Sequence, residues 1–312
     1  MKTGTDYGQA AVIVVNWNGR HFLDDCLTAL EKQTYPNFEV TLVDNGSTDG
    51  SVEFVRERFP GVRIIGLAEN AGFAKANNLA IARALNDGAQ YVALLNNDTK
   101  ADERWLEHLV RAMASKSDIG ICASKMLRMD DPRVLDSAGH IFKWGRVFDR
   151  GVGEIDARQY DDRLDIVGAC AGACLYRREM LEEIGLFDER FGSYYEDAEL
   201  SWRAHNRGWR ARFVPEAVVL HRRGGTTKSD RRIEQDMNMR YATNVAETVK
   251  KHASLIQKLT VSASCLILAP FRQMQKWLHR TDIGGDLYWR QLKRLWLPGP
   301  QLSNSEIRRE PI

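Results

Sequence analysis

Cysteine is scarce and unpaired in this 312-residue chain: Cys26, Cys122, Cys170, Cys174 and Cys265 are odd in number and nowhere form a CxxC pair. This excludes a disulfide framework and a structural zinc site, and it fits a reducing compartment. Long apolar runs are absent too. Met1 to Ala10 is polar, and the apolar run Ala11 to Val15 is too short for a signal-peptide core or a membrane span. Nothing points to export, so a cytoplasmic location is expected. No low-complexity tract and no fixed-period repeat occurs. Three familiar signatures are missing as well: a GxxxxGK[ST] phosphate loop, a GxGxxG dinucleotide fingerprint and a GxSxG nucleophile elbow.

Acidic residues are locally rare. Residues 250–300 carry nine Lys or Arg against two Asp, a net charge of about +7 within a chain whose total is +2. The body is therefore acidic and the tail basic, and the two face different partners. With 44% hydrophobic and 28% charged residues the chain can build a substantial core. Its length suits one α/β domain with an appendage.

The first half alternates short β-branched runs with amphipathic stretches, the pattern of a parallel sheet with crossover helices. Strands are expected at Ala11 to Val15, Glu39 to Val43, Arg63 to Leu67 and Tyr91 to Leu95. Helices are expected at Arg20 to Gln33, Asp49 to Arg58, Phe73 to Asn86 and near Asp102 to Ser115. Residues 126–165 are charged, glycine-rich and without period, and are expected to be an irregular excursion. Small residues Gly168 to Ala173 then suggest tight backbone packing or close approach of a ligand. Helices at Arg178 to Ile184 and from about Ala198 to Asn206, then strands at Arg210 to Val214 and Val218 to His221, close the globular part.

In such sheets ligands bind at the carboxyl ends of the strands. Here those ends read Asn16-Trp17-Asn18-Gly19, Asp44-Asn45-Gly46-Ser47, Glu69-Asn70-Ala71-Gly72 and Asn96-Asn97-Asp98. Asn, Asp, Gly and Ser are also common turn and N-cap residues, but four such loops on one rim favour a site. The remaining candidates are acidic, Asp44, Asp98, Glu196 and Asp197, with His221 the one well-placed imidazole. Acids at strand ends suit a metal and a diphosphate. Asp98 follows an apolar strand and could hold a hard divalent cation, or only cap the next helix. Asp197 precedes a helix and could likewise be its N-cap; beside Glu196, a carboxylate there stays ionised, as a general base requires.

Six ordered motifs carry a family resemblance. They are Val14-Val15-Asn16-Trp17-Asn18-Gly19, Val43-Asp44-Asn45-Gly46-Ser47-Thr48-Asp49-Gly50-Ser51, Asn70-Ala71-Gly72-Phe73-Ala74-Lys75-Ala76-Asn77-Asn78, Leu95-Asn96-Asn97-Asp98-Thr99, Tyr195-Glu196-Asp197-Ala198-Glu199-Leu200-Ser201-Trp202-Arg203 and Val219-Leu220-His221. Together they resemble glycosyltransferase family 2, in particular its bacterial rhamnosyltransferase-like branch, from about Ala11 to Gly225. The resemblance implies a GT-A fold, a mostly parallel central sheet flanked by helices. It divides the chain into a domain over 1–249, with a nucleotide-sugar half at 10–125 and an acceptor half at 126–249, and a basic helical extension over 250–312.

By the same resemblance, Asp44 reads the base, Asn16 and Asn70 neighbour it in the nucleoside pocket, and Lys75 and Asn77 sit in the loop that closes over it. Asn96-Asn97-Asp98 stands for the family's DXD motif, with Asp98 the metal ligand, Asn96 near the ribose and His221 completing the metal site. Asp197 matches the last carboxylate of the family's ED motif, the expected base, with Glu196 as fallback. Asn96 departs from the more usual Asp and puts the number of metal ligands in question.

The implied reaction is inverting transfer from a nucleotide diphosphate sugar, dTDP- or UDP-linked and with rhamnose suggested by the branch, to a hydroxyl of a polysaccharide or lipid-linked glycan. Mg²⁺ or Mn²⁺ would stabilise the leaving diphosphate. Rival readings are a catalytically silent sugar-nucleotide binding domain, which should lack Asp98, Asp197 or His221, and a nucleotidyltransferase, which should carry a basic glycine-rich triphosphate loop. In residues 250–297 aliphatic and Trp residues interleave with Lys and Arg, with no uncharged run of 18. Basic amphipathic helices of this kind suit the cytoplasmic face of an anionic inner membrane, while packing on the domain or in a homodimer is the alternative. The interleaved aliphatics argue against nucleic acid.

Overall fold

In the computed structural model we describe residues 7–222, 231–279 and 286–296, with 231–236, 271–279 and 286–287 described by backbone alone. The first half follows the expected alternation. Strands β1 (Ala10–Asn16), β2 (Phe38–Asp44), β3 (Arg63–Gly66) and β4 (Tyr91–Leu95) alternate with helices α1 (Arg20–Glu31), α2 (Ser51–Arg58) and α3 (Phe73–Asn86). After β4 come β5 (Thr99–Ala101), α4 (Trp105–Ala114), β6 (Ile119–Arg128), β7 (Leu135–Ser137), β8 (His140–Lys143), β9 (Arg146–Asp149), β10 (Asp165–Ile166) and β11 (Ala173–Arg177). Helices α5 (Arg178–Ile184) and α6 (Glu196–Asn206), strand β12 (Arg210–His221) and helices α7 (Arg231–His252), α8 (Leu255–His279) and α9 (Asp286–Trp296) complete the described chain.

The central sheet runs β10-β12-β6-β11-β4-β1-β2-β3, with β5 on β12 and β7 on β6. Pairs β1/β2, β1/β4, β2/β3 and β6/β12 are parallel, and β11 is antiparallel to both β4 and β6. Strands β1, β2, β3, β4, β6 and β12 therefore all point the same way, and their carboxyl ends share one edge. Alternation along β1 explains the layers: Ala10, Val12 and Val14 join the core under α1 and α4, while Ala11, Ile13 and Val15 join the core under α3, α5 and α6. Strands buried on both faces read as continuous apolar runs, which is why they were legible.

Two stretches differ from expectation. The 126–165 excursion is partly ordered, because β8 and β9 form a hairpin joined by Trp144-Gly145, both at positive φ. A two-residue turn of this kind needs φ > 0 at both positions, normally signalled by Asn-Gly or Asp-Gly, and Trp at the first position hides it. The strands expected at 210–214 and 218–221 are one strand, β12, whose register on β6 shifts between Val214 and Val218. Pro215, with no N–H to give the ladder, lies in that shift.

A third core unites β9, α6 and the C-terminal helices through Val147, Trp202, Val245, Val249, Val261 and Leu295. The expected boundary at 249/250 falls inside α7, and residues on both sides of it pack in this one cluster.

Candidate active site

Strand direction assembles the site. At the end of β1 the buried Asn16 amide links three motifs: its Oδ1 accepts from Asn97 Nδ2 at 2.7 Å, and its Nδ2 donates to Asp44 Oδ1 at 3.3 Å and to Ser47 Oγ at 3.2 Å. Asp44 Oδ2 also accepts from the Ser47 N–H at 3.0 Å. The Asn45 Nδ2 donates to Asn70 Oδ1 at 3.0 Å, and Asn45 Oδ1 accepts from the Ala71 N–H at 2.8 Å. Several of these side chains thus hold loops to one another, the role the turn reading assigns them, and by doing so they fix the edge on which Asp44 and Asn97 sit.

The acidic end of β4 meets the end of β12. Thr99 of β5 pairs with His221, and the Arg222 N–H donates to the Asp98 carbonyl at 3.0 Å, so backbone ladders carry His221 to Asp98 across 123 positions of sequence. His221 Nε2 lies 3.3 Å from Asp98 Oδ1, and its Nδ1 lies 2.5 Å from Asp136 Oδ2 on β7. Burial disfavours the charged imidazole, but the two carboxylates outweigh it and push its pKa up to about 9. Asp98 does not cap α4, whose N-cap is Arg104. Among the described residues no group of three or more His, Cys, Asp or Glu forms a complete metal cage. A cation that displaced the Nε2 proton would meet one carboxylate, one imidazole nitrogen and open positions for phosphate oxygens, which fits Mg²⁺ or Mn²⁺ bound through few protein ligands plus substrate phosphate.

Across the cavity stands the α6 terminus. Its N-cap is Tyr195, not Asp197, and both Tyr194 and Tyr195 hold φ of 72°. Such a conformation is costly for a bulky residue and is held here by Tyr195 Oη, which accepts from the Val147 N–H at 2.9 Å and donates to its carbonyl at 3.0 Å. The turn aims Asp197 at the backbone opposite: Oδ2 accepts from the Ala171 N–H at 3.0 Å and Oδ1 from the Ala198 N–H at 2.7 Å. The helix terminus was expected to keep this carboxylate readily ionised. Burial instead dominates and, with the Asp149 charge, raises its pKa against the pull of His140 and the two N–H donors. The small-residue run explains itself in two ways: a Cβ on Gly168 would strike Ser201 Oγ at 1.9 Å, which is packing against α6, whereas Ala171 and Gly172 line the cavity.

These groups share one cavity of about 680 Å³, within the range of small-molecule sites. Asn96, Asn97, Asp98, Glu196, Asp197 and His221 all line it. Asn16 and Asp44 are nearly buried behind its wall, joined through Asn97. Asn70, Lys75 and Asn77 do not line it. Lys75 and Asn77 lie in α3 rather than in a closing loop, because the helix begins at Phe73, and the Asn77 Nδ2 is spent on the Phe73 carbonyl at 2.9 Å.

Sequence reasoning missed three polar residues of the cavity. Asp136 supports His221, and Asp149 lies 3.4 Å from the Nε2 of His140, whose own pKa burial would lower but the Asp149 charge raises. All three fall in the excursion, where no periodicity marked them; Asp136 as an acid in an apolar-flanked Leu-Asp-Ser triplet was the one available signal.

Comparison with known proteins follows the same lines. The sequence model of the family described as Glycosyl transferase family 2 matches residues 11–185. An N-acetylglucosaminyl-diphospho-decaprenol L-rhamnosyltransferase of Mycobacterium tuberculosis is 30% identical over 241 residues, 70% of this chain and 78% of that one. Among solved structures, the mannosyltransferase PcManGT from Pyrobaculum calidifontis in complex with GDP-Man and Mn²⁺ superposes with a TM-score of 0.57 at 19% identity, covering 93% of this chain and 87% of that one. GalNAc-T7 with UDP, GalNAc and Mn²⁺ superposes at 0.56 and 17% identity, covering 69% of this chain and 43% of that one. The last two likenesses are of fold, the GT-A arrangement expected from the motifs.

Proposed function

Since the chain belongs to glycosyltransferase family 2, and so transfers sugar from a nucleotide sugar, we propose that it moves a deoxyhexose such as rhamnose from a dTDP- or UDP-sugar to a hydroxyl of a lipid-linked glycan. The observation that carries this reading is the pairing of two unlike ends of one cavity: Asp98 with His221 on one side and the half-buried Asp197 on the other.

Roles follow from charge. Asp44, Asn16, Asn70 and Asn97 order the nucleoside edge, and α3, which carries Lys75 and Asn77, follows directly on the Asn70 loop. A Mg²⁺ or Mn²⁺ ion held by Asp98 and His221 would neutralise the diphosphate. Asp197 accepts the acceptor's hydroxyl proton as that oxygen bonds to the anomeric carbon; the bond from that carbon to the phosphate oxygen breaks, and its electron pair leaves with the nucleoside diphosphate. One displacement at one face inverts the anomeric centre. Raised basicity suits Asp197 to this task, since a base works best with a pKa nearer the working pH.

The acceptor assignment is supported by the Mycobacterium tuberculosis relative, an N-acetylglucosaminyl-diphospho-decaprenol L-rhamnosyltransferase. Among the described residues no helix is long and apolar enough to cross a membrane, so contact with the cytoplasmic face of the inner membrane would be peripheral, through 250–297. The test is a calorimetric screen of dTDP-, UDP- and GDP-sugars with Mg²⁺, Mn²⁺ or EDTA. Metal-dependent binding of dTDP-rhamnose is the expected result; binding of GDP-sugars alone would overturn the donor assignment.

A further inference from the structure

Helix α8 leaves one face open. Its exposed positions include Leu255, Ile256, Leu259, Ala263, Leu266 and Ile267, spaced by three and four residues, while Val261, Cys265 and Ala269 are buried on the opposite side. These are not marginal exposures: Leu255 is 64%, Ile256 76% and Ile267 72% accessible. The stripe extends for about 20 Å at 1.5 Å per residue and is apolar except for Thr260, whose hydroxyl is turned to the Ile256 carbonyl. A soluble surface rarely leaves such a strip uncovered.

Three further observations say what covers it. Residues 254–270 contain one charged side chain, Lys258, and residues 288–296 contain Arg290, Lys293 and Arg294 with no acid. Arg290 and Lys293 are exposed. Tryptophans flank the strip, since Trp296 Nε1 donates to Ser262 Oγ of α8 at 2.8 Å and Trp289 is partly exposed. The β8-β9 hairpin tip adds a third: Gly145 packs so closely on α8 that a Cβ there would lie 2.6 Å from the Gln257 carbonyl oxygen, and Trp144 beside it is 55% accessible with the Lys143 ammonium 4.6 Å from its ring. Arg294 is paired with Glu247 at 3.0 Å, which leaves the exposed Arg290, Lys293 and Lys143 as the cations of this edge. Aliphatic side chains edged by Trp and such cations match an anionic lipid surface. A second copy would bring the same cations together.

The hairpin also joins this face to the site. The Trp144 ring meets Phe148 edge-on at 6.1 Å, and Phe148 lines the cavity beside Asp149. We propose that the outer face of α8, with Trp144, lies among the headgroups of an anionic bilayer, so that the β9 wall of the cavity opens where a lipid-linked acceptor carries its sugar. This rests on the reading that the acceptor is lipid-linked, but the surface contact is measured without turnover.

The experiment is sedimentation of the full chain with phosphatidylcholine vesicles containing or lacking phosphatidylglycerol, for the wild type, Ile256→Asp/Ile267→Asp and, separately, Trp144→Ala. Expected is binding that needs the anionic lipid and weakens about tenfold or more in the double variant, less in Trp144→Ala, with donor binding unchanged in both. Wild-type protein that ignores anionic vesicles overturns the proposal, as does a double variant that binds them equally well. A double variant that turns a dimer into a monomer in the absence of lipid overturns it in favour of an interface between copies. Loss of the sugar-transfer reading would show instead as no donor binding by any form, with vesicle binding intact.

Discussion

Replacing Asp197 by Asn tests the proposed chemistry most directly, because it keeps shape and removes the carboxylate assigned as the base. Positioned general bases contribute about 10² to 10⁴ in rate, or about 3 to 5 kcal/mol at 1.36 kcal/mol per decade. The structure says what else the change would touch. Both Asp197 oxygens accept backbone N–H groups, from Ala171 and Ala198. An amide can satisfy one of them and must turn its NH₂ toward the other, which costs about 1 to 3 kcal/mol of stability. Turnover should therefore fall at least about 10²-fold with only a modest loss of thermal stability. Donor affinity, set on the Asp44 and Asp98 side, should hold.

The pH profile supplies a second, signed readout. In the proposed role Asp197 works as the carboxylate, and burial raises its pKa above the ordinary aspartate value. As pH falls, wild-type kcat/KM should drop along an acid limb that begins at higher pH than an exposed aspartate would give. The residual activity of Asp197→Asn should lack that limb. Product formation followed by chromatography, with donor binding by calorimetry on the same samples, makes the assay. Turnover within tenfold of wild type would refute the assignment, and if Glu196→Gln were then inactive the base would be Glu196.

Asp136→Asn should leave the fold intact but weaken Mn²⁺ binding by about 10- to 100-fold, as loss of an outer-shell partner does; titration with the nucleoside diphosphate present measures it, and unchanged affinity would remove Asp136 from the site. Asp188 reports on stability: burial opposes its ionisation, but Arg190 and Lys251, at 2.6 and 2.7 Å, outweigh this and lower its pKa. A lowered folded pKa contributes stability above the unfolded value of about 3.9 and loses it as pH falls below that value. Unfolding midpoints of wild type and Asp188→Asn should thus differ at pH 7 and converge in acid; a constant gap would contradict the linkage.

Legibility from sequence tracked local signals. Strands β1 and β4 are apolar on both faces, β2 and β3 carry short β-branched runs, and the helices between them are amphipathic, so their positions and polar carboxyl ends could be read directly. Asp98, Asp197 and His221 could be singled out because each sits at the end of a recognisable element and within an ordered motif. The β8-β9 hairpin could not, since four-residue strands joined by Trp-Gly carry neither period nor a turn signature. Asp136, His140 and Asp149 were lost with it. The closing loop for Lys75 and Asn77 came from the family resemblance, whereas the helix read from the sequence at Phe73 to Asn86 already held both residues, as α3 does.

By itself the sequence determined what is local and additive: the strand-helix alternation, the two-faced burial of the sheet, the acidic rim, the basic tail and the absence of a spanning segment. Tertiary structure decided what depends on groups far apart in the chain. Parallel pairing of β12 with β6 and antiparallel pairing of β5 with β12 bring His221 to Asp98, and the hairpin sets Asp149 near His140 and Trp144 beside α8. The raised pKa of Asp197 was likewise beyond sequence, because a helix-terminal position favours charge while the wall around it, built from segments far apart in the chain, disfavours it more. Desolvation is a property of the enclosed space, and no single segment of chain specifies it.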